Sequence, residues 1–350
     1  MIYFNNDYSE GCIPEILEKL SQTNMEQTPG YGVDDHCKAA ADKIRNLCQR
    51  EDISVHFLVG GTQTNLTVIA ASLRPYQAVI SAVSGHINVH ETGAVEATGH
   101  KVIALPSDDG KITAQQVEKE VRSQSESMDA EHCAQPAMVY ISNPTEYGTI
   151  YTLRELESIS SVCKQYGLSL FVDGARLGYG LTAEGNDVTL ADMARLCDVF
   201  YIGGTKVGAL FGEAVVFTNP ELNRDFRYMI KQRGGMLAKG RLLGLQFETL
   251  FEDGAYFRIA AKANKQADTI RKTLDKLGYK LMVPNTTNQI FPILPDCVLD
   301  ALSKEFTFSE MGRIDSDHRA IRICTSWATT DENVHALCDR LELLSTCSQS

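Results

Sequence analysis

The sequence predicts an α/β fold: helices packed on a mostly parallel sheet, with a smaller α/β domain at the C-terminal end. After residue 30, segments of 3.6-residue periodicity alternate with short apolar runs. The polar and glycine-rich breaks fall at the carboxyl ends of those runs, which is where open sheets of this kind bind ligands. Length agrees, because 350 residues with 43% hydrophobic content suffice for one large core and a second, smaller one.

In order, "HCKAAADKIRNLCQRE" reads as an amphipathic helix, "SVHFLVGG" as a strand and "TQTNLTVIAASL" as a helix. "QAVISAV" and "KVIALPS" are strands, and "TAQQVEKEVRSQSE" is a helix. "PAMVYISNP", "LSLFVDGA" and "CDVFYIGG" are further strands, separated by the helices "TLRELESISSVCKQYG" and "TLADMARL". A long helical stretch from Leu243 to Gly278 then leads into "YKLMVP", "NQIFPIL", "CVLDALSKEF", "AIRICTSW" and a last helix, where Thr329 and Glu332 have capping-box spacing. The division expected is an N-terminal segment (1–15), a large domain (16–245) and a small one (246–350).

A net charge of -12 without a basic run argues against a nucleic-acid partner. "MIYFNNDYSEGC" lacks a basic leader followed by an apolar stretch, and no apolar run reaches membrane length, so the expectation is a cytoplasmic protein with no membrane contact. The ten cysteines (Cys12, Cys37, Cys48, Cys133, Cys163, Cys197, Cys297, Cys324, Cys338 and Cys347) are scattered without a CxxC pair. Reduced thiols and no metal site are expected.

Three strand-end breaks carry chemistry together. In "YIGGTKVG", Lys206 follows a core strand among glycines; it is either a turn lysine facing water or a desolvated amine ready to form a Schiff base. In "LVGGTQTNL", Gly60, Gly61 and Thr62 precede a helix, as a capped turn or as a phosphate cradle. In "FVDGARLGYG", Asp173 directly follows an apolar strand, either as an N-cap or as the carboxylate that holds a protonated pyridine nitrogen. A phosphate cradle, a strand-end Asp and a strand-end Lys, in that order, are what pyridoxal 5′-phosphate needs at three points.

With "MIYFNNDYSEG", "GYGVDD", "SGHINVHETGA" and "IRICTSW", these segments make nearly the whole chain resemble the low-specificity L-threonine aldolases. Those are pyridoxal-phosphate enzymes of the aminotransferase-like fold (fold type I), in the group that includes the β-eliminating lyases. The resemblance implies a seven-stranded sheet and cleavage of L-threonine, L-allo-threonine and other L-3-hydroxy amino acids to glycine and an aldehyde. It implies that Lys206 holds the cofactor as a Schiff base, Asp173 pairs with its ring nitrogen, Gly61 and Thr62 bind its phosphate and His86 stacks on its ring. Arg176, beside the cofactor, and Arg322 would face the substrate carboxylate. Tyr31, Lys231 and Arg233 would reach the site from a partner subunit of a homodimer or homotetramer.

Two segments depart from the family pattern. Asn6 stands where a serine is usual, and remains a donor for the substrate carboxylate. "SNPTEYG" offers Thr145, Glu146 and Tyr147 where a loop histidine is usual, which leaves His86 acting through a water, or Glu146, as the base for the hydroxyl proton. Other reactions of the same cofactor, β-elimination or amino transfer, would use the same Lys and Asp, and a non-catalytic scaffold of this fold is the remaining reading.

Overall fold

A computed structural model describes residues 1–347. Seven strands form the large sheet: β1 (Ser54–Leu58), β2 (Gln77–Ala82), β3 (Lys101–Leu105), β4 (Gln135–Ser142), β5 (Ser169–Asp173), β6 (Val199–Gly203) and β7 (Glu213–Phe217). Their spatial order is β1-β7-β6-β5-β4-β2-β3, and only β7 runs against the rest. The mostly parallel seven-stranded sheet is therefore as expected.

The strands read as unbroken apolar runs because both faces are covered. Val139, Ile141, Leu170, Val172, Phe200 and Ile202 face one core, with Ala40, Ile44, Leu156 and Ile159 from the helices Asp35–Cys48 and Leu153–Tyr166. Their neighbours Met138, Tyr140, Phe171, Val199 and Tyr201 face the other, with Val68 and Ile69 of the helix Gly61–Ser72. This period-2 alternation makes three layers.

A separate core lies under the antiparallel strands Ile293–Pro295, His318–Cys324 and Ser309–Arg313, backed by the helices Asp296–Leu302 and Asp331–Cys347. The helix Ala255–Lys276 serves both cores, placing Tyr256, Ala260 and Ala263 in the first and Ala267, Ile270 and Leu274 in the second. The N-terminus belongs to the smaller core: Ile2–Tyr3 pairs in parallel with Phe306–Thr307, and Phe4 is buried there. From that core the chain runs past the sheet's carboxyl edge to Ile13, whose N–H bonds Gly208 O at 2.9 Å.

Some local expectations shift. The stretch 243–278 is two helices, Arg241–Leu250 and Ala255–Lys276, because Asp253 (φ 50°) and Gly254 (φ 68°) adopt left-handed conformations between them. The last helix is capped one residue later than expected: Thr330 Oγ1 accepts the Asn333 N–H at 3.2 Å, while Thr329 Oγ1 accepts from Ser326 N. Cys12, Cys37, Cys48, Cys133, Cys163, Cys197, Cys297, Cys324 and Cys338 are free thiols, and the side chain of Cys347 lies outside the described residues. Among the described residues no helix is long and apolar enough to cross a membrane.

The ends of β5 and β6 cross in contact. Gly203 N donates to Gly174 O at 2.9 Å. A Cβ on Gly174 would lie 1.9 Å from Tyr201 O, and one on Gly203 would lie 2.4 Å from Ala175 O. Only glycine permits that approach. Gly174→Ala should cost about 3 kcal/mol or more in urea unfolding, whereas Gly60→Ala, whose Cβ would meet nothing within 4 Å, should cost less than about 1 kcal/mol.

Candidate active site

The crossing sets Asp173, at the end of β5, beside the turn that carries Lys206 three residues beyond β6. That turn is held from below. Tyr179 donates its hydroxyl to Lys206 O at 2.6 Å, and Tyr256 donates to Gly203 O at 3.0 Å. Asp173 and Lys206 line a cleft of about 910 Å³ at the sheet's carboxyl edge, together with Gly60, Gly61, Thr62, His86, His90, Glu146, Arg176, Glu213 and Arg322.

Asp173 is buried but well supplied with donors. Oδ2 accepts from Tyr140 Oη at 2.5 Å and Asn65 Nδ2 at 3.1 Å, and Oδ1 accepts from Ala175 N at 2.9 Å. Burial acts to raise its pKa, but nearby His86 and the hydrogen bonds from Tyr140, Tyr201 and Ala175 outweigh it, so the pKa falls and the group is a carboxylate. The network continues through Asn65 Nδ2 to Glu91 Oε1 at 2.7 Å, and from Glu91 Oε1 to His86 Nδ1 at 2.7 Å. The groups expected at the cofactor's ring nitrogen and on its face are thus tied together.

Among the described residues, Lys206 Nζ has no hydrogen bond or ion pair; its nearest ring, that of Tyr8, is centred 6.0 Å away. Burial lowers its pKa and Arg176 pushes the same way, against the opposing pull of Asp7, Asp173 and Glu213. Such an amine loses its proton readily and becomes a nucleophile. Glu213 receives Thr205 Oγ1 at 2.9 Å and Gly204 N at 3.2 Å, and burial pushes its carboxyl pKa up.

The helix Gly61–Ser72 opens at the cleft with Gly60 as its N-cap and no side-chain cap. Its first N–H groups and the Thr62 hydroxyl are therefore available to an anion. An uncapped helix start, an ionised Asp173 and an unpaired Lys206 around one cleft fit a phosphate-bearing pyridine aldehyde.

Arg176 is held from one side. Its guanidinium faces the cleft, but Nε and Nη2 are taken by Asp7 at 2.7 and 2.9 Å, and Asp7 also receives Asn288 Nδ2 at 2.9 Å. That pair takes one edge of the guanidinium and leaves Nη1 and the second Nη2 proton for a substrate carboxylate. Arg322 is freer: Nη2 donates to Asn5 O at 3.1 Å and Ser309 Oγ at 3.3 Å, and Nε is buried without a partner.

Asn6 is not among the lining residues; its Oδ1 caps a turn, accepting from Tyr8 N at 3.0 Å and Ser9 Oγ at 2.9 Å. Tyr31, Lys231 and Arg233 also lie off the cleft of their own chain. Lys231 Nζ sits 4.8 Å above the Tyr31 ring, and Arg233 O accepts from Gln63 Nε2 at 3.0 Å. Glu146 lines the cleft, where Oε1 accepts from Ser142 Oγ at 2.7 Å and His86 N at 2.8 Å; burial raises its pKa. Asp7, Asn65, Tyr140, His90, Glu91 and Glu213 were not anticipated as site residues. One signal pointed to Glu213, a charge at the start of the apolar run "EAVVF".

Fold and cleft together define an α/β enzyme of the pyridoxal-phosphate type, with its site at the carboxyl edge of a mostly parallel sheet. The chain belongs to the β-eliminating lyase family, whose model matches residues 7–296, and that membership makes it a pyridoxal-phosphate-dependent lyase. It is 32% identical to a low specificity L-threonine aldolase of a Pseudomonas species over 95% of each chain. A solved threonine aldolase of Leishmania major superposes with a TM-score of 0.96 at 46% identity, covering 99% of this chain and 100% of that one. Aspartate aminotransferase of Thermus thermophilus (TM-score 0.72, 16% identity, 98% and 91% covered) shares the fold.

The Asp7–Arg176 pair gives a test of the cleft's frame. Burial acts to raise the pKa of Asp7, but the charges of Arg176 and Lys206 outweigh it, so the folded-state value is lowered. Its contribution to stability is complete above the unfolded carboxyl value of about 4 and is lost as pH falls through the lower folded value. Asp7→Asn, which strands Arg176, should cost about 3–5 kcal/mol in denaturant unfolding at pH 7. The difference from the unmutated protein should narrow as pH falls below about 4.

Proposed function

We propose that the protein cleaves L-3-hydroxy amino acids, L-threonine and L-allo-threonine among them, to glycine and an aldehyde, with Lys206 holding pyridoxal 5′-phosphate as a Schiff base. The observation that carries this reading is the unpaired, partly buried amine of Lys206 in one cleft with the ionised Asp173. The likeness to threonine aldolases along nearly the whole chain supports it.

Asp173 would hold the ring nitrogen protonated, the start of the helix Gly61–Ser72 with Thr62 would take the phosphate, and His86 would lie against the ring. When bound, the cofactor supplies an electron sink for the bond broken at Cα. Arg322 takes the substrate carboxylate through its free edge and fixes the orientation in which the Cα–Cβ bond can break. Arg176 contributes positive charge from its place on Asp7. Lys206 would be the amine placed to hold and return a proton at Cα.

A second copy of the chain, in a homodimer or homotetramer, would bring its Tyr31, Lys231 and Arg233 to this cleft. The enzyme would work in the cytoplasm. Aldol cleavage is preferred over elimination or amino transfer because the relatives 32% and 46% identical described above are aldolases by name.

The expected result is aldehyde release from L-threonine and L-allo-threonine by the cofactor-loaded protein, followed as NADH oxidation in a coupled assay, with glycine formed in equal amount. Lys206→Ala should lower it at least ~1000-fold. Arg322→Ala should raise KM roughly 10- to 100-fold, as expected for one charge-assisted pair. Ammonia and a keto acid in place of aldehyde and glycine would make the protein an eliminating lyase.

A further inference from the structure

We propose that His90 is the base that takes the proton from the substrate's 3-hydroxyl group, an inference that rests on the aldol-cleavage reading above. His90 follows the short helix His86–Val89 and lines the cleft, its ring centred 5.5 Å from that of His86. Its backbone N–H is used, donating to His86 O at 2.9 Å. Among the described residues, neither of its ring nitrogens has a hydrogen-bond partner, so both are open to a ligand in the cleft.

The two groups expected to act as base each have one polar atom engaged, whereas both ring nitrogens of His90 are open. His86 Nδ1 is bound to Glu91 Oε1 at 2.7 Å, with Glu91 itself held by Asn65. That bond fixes the plane of the His86 ring and suits it to lie against the cofactor. Glu146 Oε1 accepts both the Ser142 hydroxyl and the His86 N–H, so this carboxylate anchors the start of the turn that carries both histidines. Glu146 is therefore a positioning residue.

Charge near His90 favours the role. Partial burial lowers its pKa, and His86, Arg322, Lys206 and Arg176 push in the same direction. The ring is thus neutral at physiological pH, with a lone pair to give. A substrate carboxylate on Arg322 cancels one of those positive charges and makes His90 more basic when the substrate arrives. Loading the site would thereby prepare its base.

In the step, the substrate O–H bond breaks and its proton forms an N–H bond on the imidazole. The O–H electron pair becomes the second bond of the aldehyde carbonyl. The Cα–Cβ pair stays with Cα, which takes up one proton and becomes the methylene of glycine. One proton leaves the hydroxyl and one enters Cα, so no oxidant or further reactant is needed.

The test uses His90→Gln in the cofactor-loaded protein, with His90→Asn as a second variant and Glu146→Gln alongside. Aldehyde release from L-threonine should fall at least ~100-fold in the His90 variants. Glycine involves no hydroxyl, so its affinity by calorimetry and the exchange of its α-proton with D2O should stay within about threefold, with cofactor absorbance retained. Aldehyde release within about threefold of the unmutated protein would overturn the assignment. So would equal loss of aldehyde release and glycine exchange, or a hundredfold loss confined to Glu146→Gln. An unmutated protein that exchanges the glycine proton yet releases no aldehyde would sink the aldol reading together with the base, and is told apart because the fault precedes any change at His90.

Discussion

The contact between the ends of β5 and β6 governs the rest of the site. Two glycines let one backbone lie against another closer than any side chain would allow, and the chain leaves both strands in a single direction. Asp173 is the last residue before one exit and Lys206 comes three residues after the other. Their proximity is therefore a property of backbone geometry, set before either side chain chooses a rotamer. Tyr179 and Tyr256 hold the lysine's turn by its carbonyl groups, which leaves the amine itself untouched.

Around that frame the cleft gathers more ionisable groups than it can pair. Asp7 meets Arg176, Glu91 meets His86, and Glu213 and Glu146 are satisfied by neutral donors. Lys206 is left over. The arrangement explains how an amine can stay partly buried with a lowered pKa in a region rich in carboxylates: the nearest of them are already occupied by stronger or closer donors.

Much of this was legible in the chain. Strands buried on both faces write themselves as apolar runs, so Asp173 and Lys206 were visible as polar residues at or just past their ends, and the start of Gly61–Ser72 was marked by Gly-Gly-Thr. Pairings between distant segments were not. The Asp7–Arg176 contact joins residues 169 positions apart, and no local pattern shows that one edge of an arginine is already taken. The same holds for the strand Ile2–Tyr3, too short for periodicity to speak and defined only by its partner. The interruption at Asp253 and Gly254 was written as "EDG", but amphipathic periodicity on both sides hid it.

The N-terminal segment has a consequence for the order of folding. Ile2 pairs with Phe306, Phe4 O accepts from Cys324 N, and Asp7 reaches Arg176 and Asn288. Ile2 and Phe4 thus find their partners only once some three hundred later residues have been made. Contacts of such long sequence separation form slowly, because the loop they close is long. The large sheet can assemble in the meantime, but its cleft lacks Asp7 until this segment docks, so Arg176 remains uncompensated until then.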